Sequence, residues 1–67
     1  MTIILNGKDI NLPTEVKNIN DLLSFYSLED RIVIVELNKE VLYKEQYSST
    51  NLTAGDIIEL IHFVGGG

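Results

Sequence analysis

Cysteine is missing from the whole chain, so neither a disulfide, nor a thiolate metal site, nor a thiol nucleophile is available to it. Proline appears once, at Pro13, and tryptophan not at all. Positive charge is scarce, with five Lys and Arg against ten Asp and Glu, a formal net charge of −5. The basic residues Lys8, Lys17, Arg31, Lys39 and Lys44 are scattered, which argues against the clustered phosphate contacts of a nucleic-acid binder. The acidity serves solubility first, and its functional use would be steering toward a partner's basic surface. Long apolar runs are missing as well. Nothing approaches the ~18 apolar residues of a membrane span. Residues 1–5, "MTIIL", are too short for a signal segment and lack its basic flank. A cytoplasmic, untargeted protein with no membrane or nucleic-acid partner is the expectation.

What is present is a chain of 67 residues, 45% of them apolar. A domain of this size buries only about 60% of the surface its unfolded chain exposes, so a large concave active site is hard to fit. The periodicities predict the elements in turn. Residues 1–6 alternate and are rich in β-formers, Asn6-Gly7 is a two-residue hairpin signal, and "KDINL" is the returning strand. In "NINDLLSFYSL", Ile19, Leu22, Leu23 and Tyr26 fall at i, i+3, i+4 and i+7, one helical face, with Asn18 as N-cap and Asp21 at N3. Ile32 to Asn38 reads as the strongest strand, and Val41-Leu42-Tyr43 begins a short fourth one. Residues 44–53 read as irregular, pinned to the core by Tyr47 and Leu52, and "IIELIHFV" is the last strand.

The order β-β-α-β-β-β predicts an α+β fold of β-grasp, ubiquitin-like layout: a mixed sheet of about five strands with one helix across one face. Residues 1–64 would form that domain and residues 65–67 a flexible glycine tail. With one face covered, alternation assigns Ile3, Leu5, Val33, Val35, Leu37, Ile58 and Leu60 to the core. The open face then receives Ile4, Ile34, Ile61 and Phe63, an apolar patch beside the chain's end. Contiguous exposed apolar surface marks a binding face more often than scattered residues do.

Catalytic groups are sparse. His62, the single histidine, reads as a partly buried structural residue near the sheet edge, and no second His or Cys stands at metal-ligand spacing. The carboxylates are dispersed without pairing, and Ser48-Ser49-Thr50 has no nearby base, so no catalytic residue and no metal site is expected. One reactive group remains, the α-carboxylate of Gly67. Gly65, Gly66 and Gly67 lack side chains, can pass a narrow channel, and reach roughly 10 Å when extended. Such a tail is a handle for another enzyme to activate, acyl phosphate chemistry with ATP being the usual route.

At this point the chain resembles the sulfur carrier proteins of thiamine biosynthesis. The resemblance is carried by Asn38, Val41, Tyr47, the "L-x-x-G-D-x-I-E" pattern of Leu52 to Glu59, and the closing "FVGGG". It implies a protein that is not an enzyme and binds no cofactor itself. A ubiquitin-activating-like partner would use ATP to adenylate Gly67, sulfur from a cysteine desulfurase or another donor would give a thiocarboxylate, and thiazole synthase would take the sulfur. By position Gly67 bears the sulfur, Gly66 is the second essential glycine, Gly65 and Val64 line the channel, and Phe63, Ile61 and Ile34 dock. Three alternatives compete: the small subunit of molybdopterin synthase, whose family is longer and has proline before its tail, a ubiquitin-like modifier, and a passive binding module.

Overall fold

The computed structural model describes residues 1–62 of the chain. Its elements are β1 (Thr2–Leu5), β2 (Lys8–Asn11), α1 (Ile19–Phe25), β3 (Val33–Leu37), β4 (Glu40–Leu42), a 3-10 turn (Lys44–Gln46) and β5 (Ile57–His62). The strands form one five-stranded sheet in the order β2-β1-β5-β3-β4. β1 and β5 pair in parallel at its centre, and every other neighbouring pair is antiparallel. The mixed sheet with one helix is the β-grasp arrangement expected. No described helix is long and apolar enough to cross a membrane.

Local chemistry explains most of the elements. Asn6 and Gly7 hold φ of 49° and 81°, the left-handed pair that a two-residue hairpin needs to match strand twist. Asn38 and Lys39, at 50° and 73°, repeat the solution between β3 and β4. At the start of α1, Asn18 Oδ1 accepts from Asp21 N at 2.7 Å while Asp21 Oδ2 accepts from Asn18 N at 3.3 Å. This reciprocal box satisfies two backbone donors that the helix itself leaves free. α1 ends with Ser27 at φ 58°. There Leu28 N donates to Leu23 O at 2.8 Å and Ser27 N to Ser24 O at 3.0 Å, a Schellman closure.

The core lies between α1 and one sheet face. Ile3, Leu5, Val35, Ile58 and Leu60 supply the sheet side, and Ile19, Leu22 and Leu23 the helix side. Leu12, Val16 and Leu52 close the end beneath the connections. Full burial of a side chain such as Leu22 contributes about 1.5–3 kcal/mol. No polar side chain is buried among the described residues.

Several expectations need correction. Tyr26 is not on the buried helical face. It is the C-cap, 38% exposed, with its ring edge-on to Phe25 at 5.1 Å between centroids, because α1 stops one residue earlier and Leu28 packs against the core instead. His62 is exposed rather than partly buried. Seven helical residues span only about 10 Å, and at the sheet end where His62 pairs with Val33, Val33 lines an open groove with Leu23 and Leu28. For the same reason Val33 is only half-buried, and Leu37 is likewise at the core's margin. β3 begins at Val33 rather than Ile32, β4 closes at Leu42, and the segment expected to be irregular contains the 3-10 turn. Tyr47 does pack against the core and Leu52 is buried, as the sequence suggested. The expected boundary between domain and tail, at 64 and 65, lies outside the described residues.

Candidate functional site

β5 organises the site, because it occupies the sheet's centre and leads directly into the glycine segment. Its first residues are held by a turn that explains the "GD" pattern. Gly55 has φ 88° and donates to Thr2 O at 2.8 Å. Asp56 Oδ2 accepts from Thr53 N at 2.7 Å, and the Asp56 carbonyl accepts from Ile4 N at 2.8 Å. Asn38 grips the same place from the other side. Its backbone N donates to Ile57 O at 2.7 Å, its Oδ1 accepts from Ile57 N at 2.9 Å, and its Nδ2 donates to Asp56 Oδ1 at 3.1 Å. The entry of β5 is therefore fixed on both edges.

Alternation from that anchored start places Ile57, Glu59 and Ile61 on the face opposite α1. The register aligns Ile61 with Ile34, Glu59 with Glu36 and, across β3, Glu36 with Val41. On the other edge Ile4 stands opposite Ile57. Ile34 is 40% exposed, Ile61 46%, Ile57 43% and Val41 48%. Ile4, between two strands, is half-buried. The open face is thus an isoleucine-rich surface with two glutamates directly opposed at its middle. Ile4, Ile34 and Ile61, singled out from the sequence, do share this face. Phe63, Val64, Gly65, Gly66 and Gly67 lie outside the described residues.

Sequence reasoning left out Val41 and the direct opposition of the two glutamates. Ile57 was legible from alternation alone, since it shares parity with Ile61. Val41 and the Glu36–Glu59 opposition needed the pairing register, which no single strand carries. Elsewhere, a surface groove of about 440 Å³ runs between the end of α1 and the 3-10 turn, lined by Leu23, Leu28, Arg31, Lys44 and Tyr47 among others. Burial, and then the nearby Glu45 carboxylate, push the Tyr47 hydroxyl above its ordinary value. Among the described residues no group of three His, Cys, Asp or Glu is placed to hold a metal ion.

Comparison with known proteins bears on this geometry. The model of the ThiS family matches residues 3–67. The chain is 52% identical over 63 residues to the sulfur carrier protein ThiS of Bacillus subtilis (strain 168), covering 94% of this chain and 96% of that one. It is also 31% identical over its full length to a thiazole synthase of Paramagnetospirillum magneticum, of which it spans 20%. Among solved structures, a thiamine biosynthesis protein (ThiS) from Geobacter metallireducens superposes with a TM-score of 0.82 at 36% identity, with complete coverage of both chains.

Proposed function

The chain belongs to the ThiS family of sulfur carriers, and from that premise we propose that it carries sulfur on the terminal carbonyl of Gly67 for the thiazole ring of thiamine. The observation that carries the reading is the 52% identity to a sulfur carrier over 94% of the chain. The chain's work is then that of a protein co-substrate, and catalysis belongs to its partners.

The chemistry follows from what a carboxylate lacks, a leaving group. In the adenylating partner the Gly67 carboxylate oxygen attacks the α-phosphorus of ATP, and pyrophosphate departs. The resulting acyl adenylate has AMP to lose. A persulfide's terminal sulfur bonds to the carbonyl carbon as AMP leaves, and a thiol reduces the remaining S–S bond to free the thiocarboxylate. A cysteine desulfurase or another donor supplies that sulfur. ATP is the partner's cofactor, not this chain's. The cytoplasm, where thiols are kept reduced, suits the last step.

Thiazole synthase is the acceptor in this reading. The match to a protein of that name, over a fifth of its length, supports the pairing, because it places a sequence like this one in the same polypeptide as a synthase. Docking falls to the open face, with Ile4, Ile34, Ile61, Phe63 and Val64 against the partner and Gly65, Gly66 and Gly67 entering its active site. Apolar surface beside a reactive tail suits an interface that must form and release with successive enzymes.

Intact-protein mass spectrometry tests the proposal. After incubation with the adenylating enzyme, ATP and a sulfur donor, the mass should rise by the exchange of one oxygen for sulfur, located at Gly67. A terminus that gains neither AMP nor sulfur rules the carrier mechanism out. Attachment to lysines of other proteins would instead identify a modifier.

A further inference from the structure

The backbone pairing between β1 and β5 is short. It runs through Ile4–Ile57 and Leu5–Ile58, and Asn6 N donates to Ile58 O at 2.9 Å before the chain turns into β2. One step further along β5, the Asn6 side chain takes over. Its Oδ1 accepts from Leu60 N at 2.8 Å, and its Nδ2 donates to Leu60 O at 3.2 Å. A primary amide offers an acceptor and donors much as a peptide group does. Asn6 therefore supplies to Leu60, from one side chain, the acceptor and the donor that a continued β1 would have offered from two residues.

The hairpin turn does not require this. At the first central position of such a turn Asn, Asp and Gly all serve. Asp carries acceptors alone and Gly has no side chain, so among the three only asparagine fills both bonds while adopting φ 49°. The residue held is also placed significantly. Leu60 is buried, and the next residue along β5 is Ile61, paired with Ile34 on the open face. Beyond Leu60 the described end of β5 is held through β3 alone, at Ile34–Ile61 and Val33–His62.

We propose that Asn6 is a positioning residue for sulfur loading: by clamping Leu60 it fixes the described end of β5, and so how Ile61 is presented to the adenylating enzyme. The inference rests on the carrier reading given above. Asn6 acts through Leu60 and not on the Gly67 carboxylate. Without the clamp, the end of β5 samples frayed conformers, and only the aligned fraction is competent to dock. Apparent affinity falls in proportion to that fraction, while the bound complex reacts as before.

The test is steady-state pyrophosphate release by the adenylating enzyme, with the carrier as varied substrate. Asn6→Gly keeps the turn and removes both bonds, and Asn6→Asp keeps the turn and the acceptor. Val16→Ala, a core change outside β5 in the pocket lined by Met1, Pro13 and Leu52, serves as the control for lost stability. Loss of docking-competent conformers predicts an increase in KM of about 3–10-fold for Asn6→Gly, with kcat within about twofold of the parent. Asn6→Asp falls between the two, and Val16→Ala retains the parent KM. Amide exchange at Leu60 accelerates in Asn6→Gly, showing that the clamp has been released. A parent-like KM in both Asn6 variants despite that acceleration overturns the proposal, as does an equal rise in Val16→Ala. Failure of the unaltered chain to be adenylated at all sinks the carrier reading instead, a different and recognisable outcome.

Discussion

Glu36 and Glu59 face each other across β3 and β5, in the middle of the open sheet face. Like charges directly opposed across a sheet are unfavourable, by an amount comparable to the 0.2–1 kcal/mol that a good cross-strand pair contributes. The fold alone does not ask for this arrangement, and local conflicts of this kind concentrate where function overrides stability. Replacing Glu59 by Gln should therefore stabilise the isolated chain by about 0.2–1 kcal/mol. In urea denaturation this appears as a higher midpoint with an unchanged slope. A midpoint equal to or below the parent's would show that the pair is harmless as it stands. Tyr47 gives a second prediction at this scale. Its hydroxyl is raised above the ordinary 10.0 by burial and by Glu45, so the folded state holds the proton more tightly than the unfolded state. That contribution is whole below pH 10.0 and is lost as pH rises through the folded value. Denaturation midpoints of the parent should fall more steeply above that pH than those of Tyr47→Phe, and parallel curves would discount the shift.

Among the elements, α1 shows what local sequence reveals and what it hides. The Asn18–Asp21 box and the Ile19, Leu22, Leu23 stripe were both legible, because capping and helical spacing are decided within one turn of chain. Strand alternation was legible for a similar reason, and it assigned Ile3, Val35 and Ile58 to the core correctly. The end of α1 was not. It depends on Ser27 adopting a left-handed φ of 58°, a conformation that serine has no intrinsic tendency to signal. Hence Tyr26 was placed on the buried face when the closure instead delivers Leu28 there. Strand order and register were hidden for a different reason, since they join residues far apart in sequence. Neither Val41 beside Glu36 nor the Asn6 amide on Leu60 leaves a local trace. The Schellman closure yields its own test. Glycine relieves the left-handed penalty at position 27 but adds freedom to the unfolded chain, for a net stabilisation of about 0.5–1 kcal/mol. Thermal unfolding of Ser27→Gly should show a raised midpoint, and a lowered one would mean the serine side chain contributes something the closure geometry does not reveal.

For the molecule as a whole, the proposed reaction separates into a body that docks and an end that reacts. Among the described residues the buried core runs from Ile3 to Leu60, and the last three glycines have no side chain to add to it. The net charge of −5 belongs to the body as well, since residues 65–67 carry no ionisable side chain. Steering toward a basic partner surface is then independent of the tail and weakens with ionic strength. Removing Gly66 and Gly67 should accordingly leave the unfolding midpoint unchanged while abolishing any gain of sulfur. The shortened chain should still occupy the adenylating enzyme. Added to a reaction with the intact carrier, it should inhibit competitively, with an inhibition constant within about tenfold of the intact carrier's KM, since both report docking of the same face. Increasing salt should weaken both together. A shortened chain that folds but does not compete would place most of the recognition in the glycines, and the isoleucine face would lose its proposed role. If the shortened chain competes but loses that ability in Ile61→Asp, with folding intact, recognition lies in the open face and reactivity in the tail.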